Sequence, residues 1–178
     1  EANCAVMDKG PDGCVTGSEI AAKVRETGAR AVVFSNPCNP TSLGMARAEV
    51  RALVRDTEAL VILDEAYMDF WDQSLLGEVE DYDNLVILKT CSKALGLAGI
   101  RLGFAVSGEP VTRALQAVKS PYNVNALSQA VGKAVLESSQ LCDFCTRALI
   151  DSRRFLQKGL EDLLLKKTQI ERVWPSQT

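Results

Sequence analysis

Leu60-Val61-Ile62-Leu63-Asp64-Glu65-Ala66-Tyr67 joins four consecutive apolar residues to a carboxylate and a tyrosine. Two runs of the same kind flank it. Ala31-Val32-Val33-Phe34 comes before, and Leu85-Val86-Ile87-Leu88, ending at Lys89-Thr90, comes after. Unbroken apolar runs this short suit strands covered on both faces, as parallel sheets require. A fourth run, Leu102-Gly103-Phe104-Ala105-Val106, and a strand-like opening from Ala2 to Met7 extend the set. Helix signals lie between them. Thr16 with Glu19 three positions on reads as a capping box, and Gly28 as a left-handed stop after the Ile20 and Val24 stripe. A second helix is predicted from about Ala46 to Asp56. This alternation predicts an α/β fold, a mostly parallel open sheet sandwiched by helices.

Beyond Ser107 the pattern becomes helical. Pro110 suits a helix start, and Val111 to Val118 continues it. Ser120-Pro121-Tyr122-Asn123 breaks it. Helices are then predicted from Ala126 to Leu136 and from about Leu141 to Leu165, the last as a long linker helix. The chain opens without an initiator Met, directly on a strand-like piece. It closes on Val173-Trp174-Pro175-Ser176 with no evident final element, so both ends are expected to be internal to a longer protein.

With 178 residues the chain can bury a core without disulfides. A net charge of −3 gives no nucleic-acid footprint. No apolar stretch approaches the ~20 residues of a membrane span. Histidine is absent, which excludes a Ser-His-Asp triad, a Cys-His pair and His-based zinc sites within this chain. The six cysteines are scattered, and reduced thiols suit a cytoplasmic location. Cys142-Asp143-Phe144-Cys145 has CxxC spacing but no second ligand pair, so it reads as two small apolar residues on a helix. Glu65, Asp69 and Asp72 match no metal spacing and read as a solvated loop.

In open α/β sheets, ligands sit outside the carboxyl ends of the strands. Polar residues collect at those ends here: Asn36 and Asn39, then Asp64 and Tyr67, then Thr90, Ser92 and Lys93. A lysine forms a Schiff base only as the neutral amine. Its free pKa of about 10.4 must therefore be lowered, for which the Arg101 cation is a candidate. A phosphate dianion calls for hydroxyls and an arginine fork, which Thr90, Ser92 and Arg101 offer. A protonated pyridine calls for a carboxylate such as Asp64. A ring hydroxyl calls for partners such as Asn39 and Tyr67. Each residue alone has an ordinary reading: solvated lysine, turn-forming asparagine, strand-end aspartate.

Together they carry a resemblance. Ser35-Asn36-Pro37-Cys38-Asn39-Pro40-Thr41-Ser42, Asp64-Glu65-Ala66-Tyr67 and Thr90-Cys91-Ser92-Lys93-Ala94-Leu95-Gly96-Leu97-Ala98-Gly99-Ile100-Arg101-Leu102-Gly103-Phe104 resemble, in order, three segments of class I/II aminotransferases. The likeness is fullest to the histidinol-phosphate aminotransferases, and Ser120-Pro121-Tyr122-Asn123 onward shares it. Ser42 stands where that family usually has Gly, and Cys38 where it often has Asn. The resemblance implies pyridoxal 5'-phosphate as cofactor and Lys93 as the residue of the internal aldimine and the proton shuttle. Asp64 would pair with the pyridinium, Asn39 and Tyr67 with the ring hydroxyl, and Thr90, Ser92 and Arg101 with the phosphate; no metal is implied.

It also implies amino transfer between histidinol phosphate and 2-oxoglutarate, in histidine biosynthesis, by a homodimer. Further groups would come from segments before and after this one and from the partner subunit. Residues 1–138 would be part of a cofactor-binding large domain, and residues 139–178 the linker helix and the start of a small domain. The alternatives are decarboxylation of a phosphorylated amino acid on the same fold and a catalytically silent scaffold. A dinucleotide-binding domain is discounted, since no GxGxxG opens a helix after a strand.

Overall fold

The computed structural model describes residues 3–10, 12–166, 170, 172–173 and 175–177. Four strands form one open sheet in the order β1 (Ala31–Ser35), β2 (Leu60–Asp64), β3 (Leu85–Thr90) and β4 (Gly103–Ser107). β1, β2 and β3 run parallel, with Ala31 opposite Leu60 and Asp64 opposite Leu88. β4 returns antiparallel to β3, placing Gly103 beside Thr90. The mostly parallel sheet is thus as expected, with one reversed strand. The β3–β4 connection doubles back instead of crossing over, and it carries Lys93.

α1 (Gly17–Thr27) begins with the anticipated capping box. The Glu19 backbone N–H donates to Thr16 Oγ1, and the Thr16 backbone N–H donates to Glu19 Oε2 at 2.7 Å. It ends at Gly28, whose φ of 66° is the left-handed conformation that favours glycine. α2 (Arg47–Arg55) buries Val50, Leu53 and Val54. These side chains, with Ile20 and Ala21 of α1 and Leu75, Val79 and Tyr82 of the β2–β3 connection, pack against Val61, Leu63, Leu85 and Ile87. The core therefore lies on one face of β2 and β3.

The second half is helical: α3 (Glu109–Val118), α4 (Ala126–Leu136) and the long α5 (Ser139–Leu165). α4 approaches the β3–β4 connection at Gly132, where any Cβ would run into the Leu102 side chain. Among the described residues no helix is long and apolar enough to cross a membrane.

The strand expected from Ala2 to Met7 does not form. Residues 3–10 have no strand assignment, and Ala2 lies outside the described residues. Met7 packs against the core, but apolar contact without a ladder of backbone hydrogen bonds does not make a strand. Trp174, in the closing stretch, also lies outside the described residues. The expected long helix is present and starts two residues earlier than Leu141, at Ser139.

Candidate active site

Parallel strands bring their carboxyl ends to one edge of the sheet, and three segments deliver polar side chains there. Past β1, the chain turns through Asn36-Pro37 and Asn39-Pro40, both cis. Asn36 is 1% exposed and pins the loop from inside. Its Nδ2 donates to the Met45 carbonyl at 3.0 Å, and its Oδ1 accepts from the Met45 N–H at 2.7 Å. Its own backbone N–H donates to the Asp64 carbonyl at 2.9 Å, tying this loop to the end of β2. Gly44 is required beneath it, because a Cβ there would collide with Asn36 and the Trp71 ring.

Past β2, Asp64 Oδ1 accepts from the Ala66 N–H at 3.0 Å, fixing the turn that presents Tyr67. Asn39 Nδ2 donates to the Tyr67 hydroxyl at 3.0 Å, across 28 residues of sequence. Past β3, Thr90 Oγ1 accepts from the Ser92 N–H at 3.1 Å. The Gly96 N–H donates to the Lys93 carbonyl at 2.9 Å, and the Leu97 N–H to the Cys91 carbonyl at 2.9 Å. Lys93 is exposed, and its Nζ lies 5.3 Å from the centroid of the Tyr67 ring. That is within cation–π range.

Ser35, Asn39, Asp64, Ala66, Tyr67 and Lys93 line one cleft of about 270 Å³. Four of the seven candidate residues thus meet. Thr90, Ser92 and Arg101 do not line this cleft. Thr90 and Ser92 form the turn leading to Lys93. Arg101 has φ 52° and donates from Nη1 to the Ala98 carbonyl at 3.0 Å. A larger groove of about 570 Å³ between α1, β1 and residues 5–15 is mainly apolar and holds none of the seven. The smaller cleft is the chemical one, because only there do an amine, a carboxylate, an amide and a phenol converge. Among the described residues no group of three metal-ligating side chains occurs.

The structure corrects the reading of Glu65 as part of a solvated acidic loop. Its side chain is completely buried. Its carboxylate accepts from Ser74 Oγ at 2.6 Å and from the Leu75 N–H at 3.4 Å. Lys89 Nζ lies 3.9 Å from Glu65 Oε2 and 2.6 Å from Asp69 Oδ1. Burial pushes the Glu65 carboxyl above the usual range, against the Ser74 bond and the Lys89 charge. Asp72 alone of the three is fully exposed, and it pairs with Arg47 at 3.2 Å. The missed signal was strand alternation: Glu65 continues the buried face of Val61 and Leu63. The CxxC pair splits similarly. Cys142 is half-buried, with its thiol 3.3 Å from the Val135 carbonyl, whereas Cys145 is exposed. Cys38 is partly buried, which raises its thiol pKa. Bonds from Lys9, at 2.8 Å, and from Ser35 and Thr41 outweigh that and hold it below its ordinary value.

The fold has a family counterpart. Residues 11–177 match the model of the class I and II aminotransferases, and the chain belongs to that family of pyridoxal-phosphate-dependent enzymes. It is 32% identical over 159 residues to a histidinol-phosphate aminotransferase of Clostridium novyi, covering 89% of this chain and 45% of that protein. To the histidinol-phosphate aminotransferase of Bacteroides fragilis it is 40% identical over 133 residues, covering 74% and 39%. The chain thus spans less than half the length of these curated relatives. Its fold is like that of the crystal structure of histidinol-phosphate aminotransferase from Sinorhizobium meliloti in complex with pyridoxal-5'-phosphate. The TM-score is 0.80 at 24% identity, covering 89% of this chain and 44% of that one.

Proposed function

We propose that this chain is the cofactor-holding part of an aminotransferase acting on histidinol phosphate and 2-oxoglutarate, with pyridoxal 5'-phosphate held at Lys93. The observation that carries the reading is the convergence of Lys93, Asp64, Asn39 and Tyr67 in one cleft. The residues fit the cofactor's chemistry group by group. Lys93 offers an amine that lines the cleft, 5.3 Å from the centroid of the Tyr67 ring. Asp64 offers a carboxylate to a pyridinium N–H. The Asn39–Tyr67 pair, joined at 3.0 Å, offers an amide and a phenol to a ring hydroxyl. Thr90, Ser92 and Arg101, on the segment that leaves β3 and carries Lys93, are the phosphate-holding groups of the reading. When bound, the cofactor supplies an electron sink for the electrons released at the substrate α-carbon. Lys93 then moves the proton at that carbon, within reach of a substrate in the cleft.

Relatives named histidinol-phosphate aminotransferases support the phosphorylated substrate; 2-oxoglutarate as partner substrate, a cytoplasmic location and a homodimer complete the proposal. In this reading residues 1–138 are part of the cofactor-binding large domain. Residues 139–178 are the linker helix and the beginning of a small domain.

The test is to add pyridoxal 5'-phosphate to the purified chain and to Lys93→Ala. A visible band that borohydride fixes onto Lys93, and that the variant lacks, is expected. A band of equal strength in both proteins would remove Lys93 from its role. Release of carbon dioxide from a phosphorylated amino acid, in place of an oxo product, would move the reading to decarboxylation.

A further inference from the structure

We propose that Lys89, held between Glu65 and Asp69, is a positioning residue that locks the carboxyl ends of β2 and β3 so that Asp64, Tyr67 and Lys93 keep their places in the cleft. The inference rests on the cofactor reading above. It begins from strand alternation. Asp64 and Thr90 leave their strands on the cleft side. Glu65 and Lys89, one residue removed on each strand, leave on the opposite side, in line with Leu63 and Ile87 of the core. The ionic group therefore stands directly behind the cleft.

Its connections reach both functional turns. The Glu65 backbone N–H donates to the Leu88 carbonyl at 3.0 Å, carrying the β2–β3 ladder one residue past Asp64. Its carboxylate is anchored by Ser74 and Leu75, so it is not free to follow Lys89 outward. Asp69 lies in the short 3₁₀ turn Met68–Phe70 that follows Tyr67 directly. Lys89 Nζ holds that turn at 2.6 Å and is itself four residues before Lys93. One side chain, only 18% exposed, thus links the segment carrying Asp64 and Tyr67 to the segment carrying Lys93. A partly buried cation beside the fully buried Glu65 carboxylate is costly to leave half-paired, so its loss disturbs both ends together. A bare apolar contact at this place would stabilise the sheet without fixing the direction of either turn.

The test compares wild type, Lys89→Met, which keeps the stem and removes the charge, and Lys89→Arg. Amide hydrogen exchange is measured without cofactor, and pyridoxal 5'-phosphate is then titrated by the borohydride-sensitive visible band. In Lys89→Met, exchange at residues 64–70 and 89–97 is expected to rise at least about tenfold, with α1 and α2 unchanged. The dissociation constant for the cofactor is expected to rise about tenfold with a shifted band maximum, and Lys89→Arg to restore both. A lower melting temperature in Lys89→Met with unchanged band position and affinity would overturn the proposal, since that is the mark of a merely structural pair. So would exchange identical to wild type. If wild type itself shows no band, the cofactor reading fails. Selective exchange at the two turns then still upholds the positioning role, and its absence ends it.

Discussion

The sheet half, residues 17–107, and the helical half, residues 109–165, are built on opposite terms. Every buried hydrophobic residue of the core lies between Ile20 and Leu102. By contrast α3 and α5 contain no buried residue. Along α5, Phe144, Phe155 and Leu165 are 70%, 82% and 81% exposed. The sheet half is held by its own packing. α5 has contacts with α4 and the Met68–Phe70 turn, and adds local pairs such as Arg154–Asp151, which are worth a few tenths of a kcal/mol each. The four candidate residues that line the cleft all lie on the half that packs itself, and α5 meets that half at the Met68–Phe70 turn just after Tyr67.

The largest expected effect separates the halves directly. Leu63→Ala, at a 1% exposed core position, is expected to cost about 3 kcal/mol in denaturant unfolding. Phe155→Ala is expected to stay within about 0.5 kcal/mol. Equal costs would mean that α5 is packed in solution and would dissolve the contrast. Helix starts sharpen it next. Thr16 caps α1 through both halves of a capping box, so Thr16→Ala is expected to cost about 1 kcal/mol. Ser138 before α5 makes no capping bond, and Ser138→Ala is expected to be near neutral in the same measurement.

A pH-dependent effect comes from Glu65. Its pKa is raised in the fold, chiefly by burial, so the folded chain holds the proton longer than the unfolded one. That contribution is full below the unfolded glutamate value of about 4.3 and is lost as pH rises through the folded value. Wild type is therefore expected to lose stability relative to Glu65→Gln as pH is raised from about 4 upward. Parallel pH–stability curves for the two proteins would show that the carboxyl is not burdened by burial after all.

The strands were readable because apolar runs and their polar ends are local facts. Leu60 to Asp64 and Leu85 to Thr90 sit where their composition placed them. The capping box of α1 and its Gly28 stop were equally local. The residues of the cleft were legible by another route, as three ordered segments with a family likeness. Geometry divided that set. Asn39, Asp64, Tyr67 and Lys93 share the cleft, whereas Thr90, Ser92 and Arg101 do not line it. Nothing in the spacing of seven residues says which side chains point the same way.

Residue order alone was enough for the strand–helix alternation, the absence of histidine chemistry and the arrival of polar groups at one sheet edge. These depend on side-chain type and on periods of a few residues. Pairing and burial belonged to the tertiary structure. It left residues 3–7 without strand partners, turned β4 antiparallel and closed Glu65 inside the fold beside Lys89. Each of these depends on what a distant segment offers: a backbone edge, a covering layer, or a charge 24 residues away to offset the desolvation of a carboxylate.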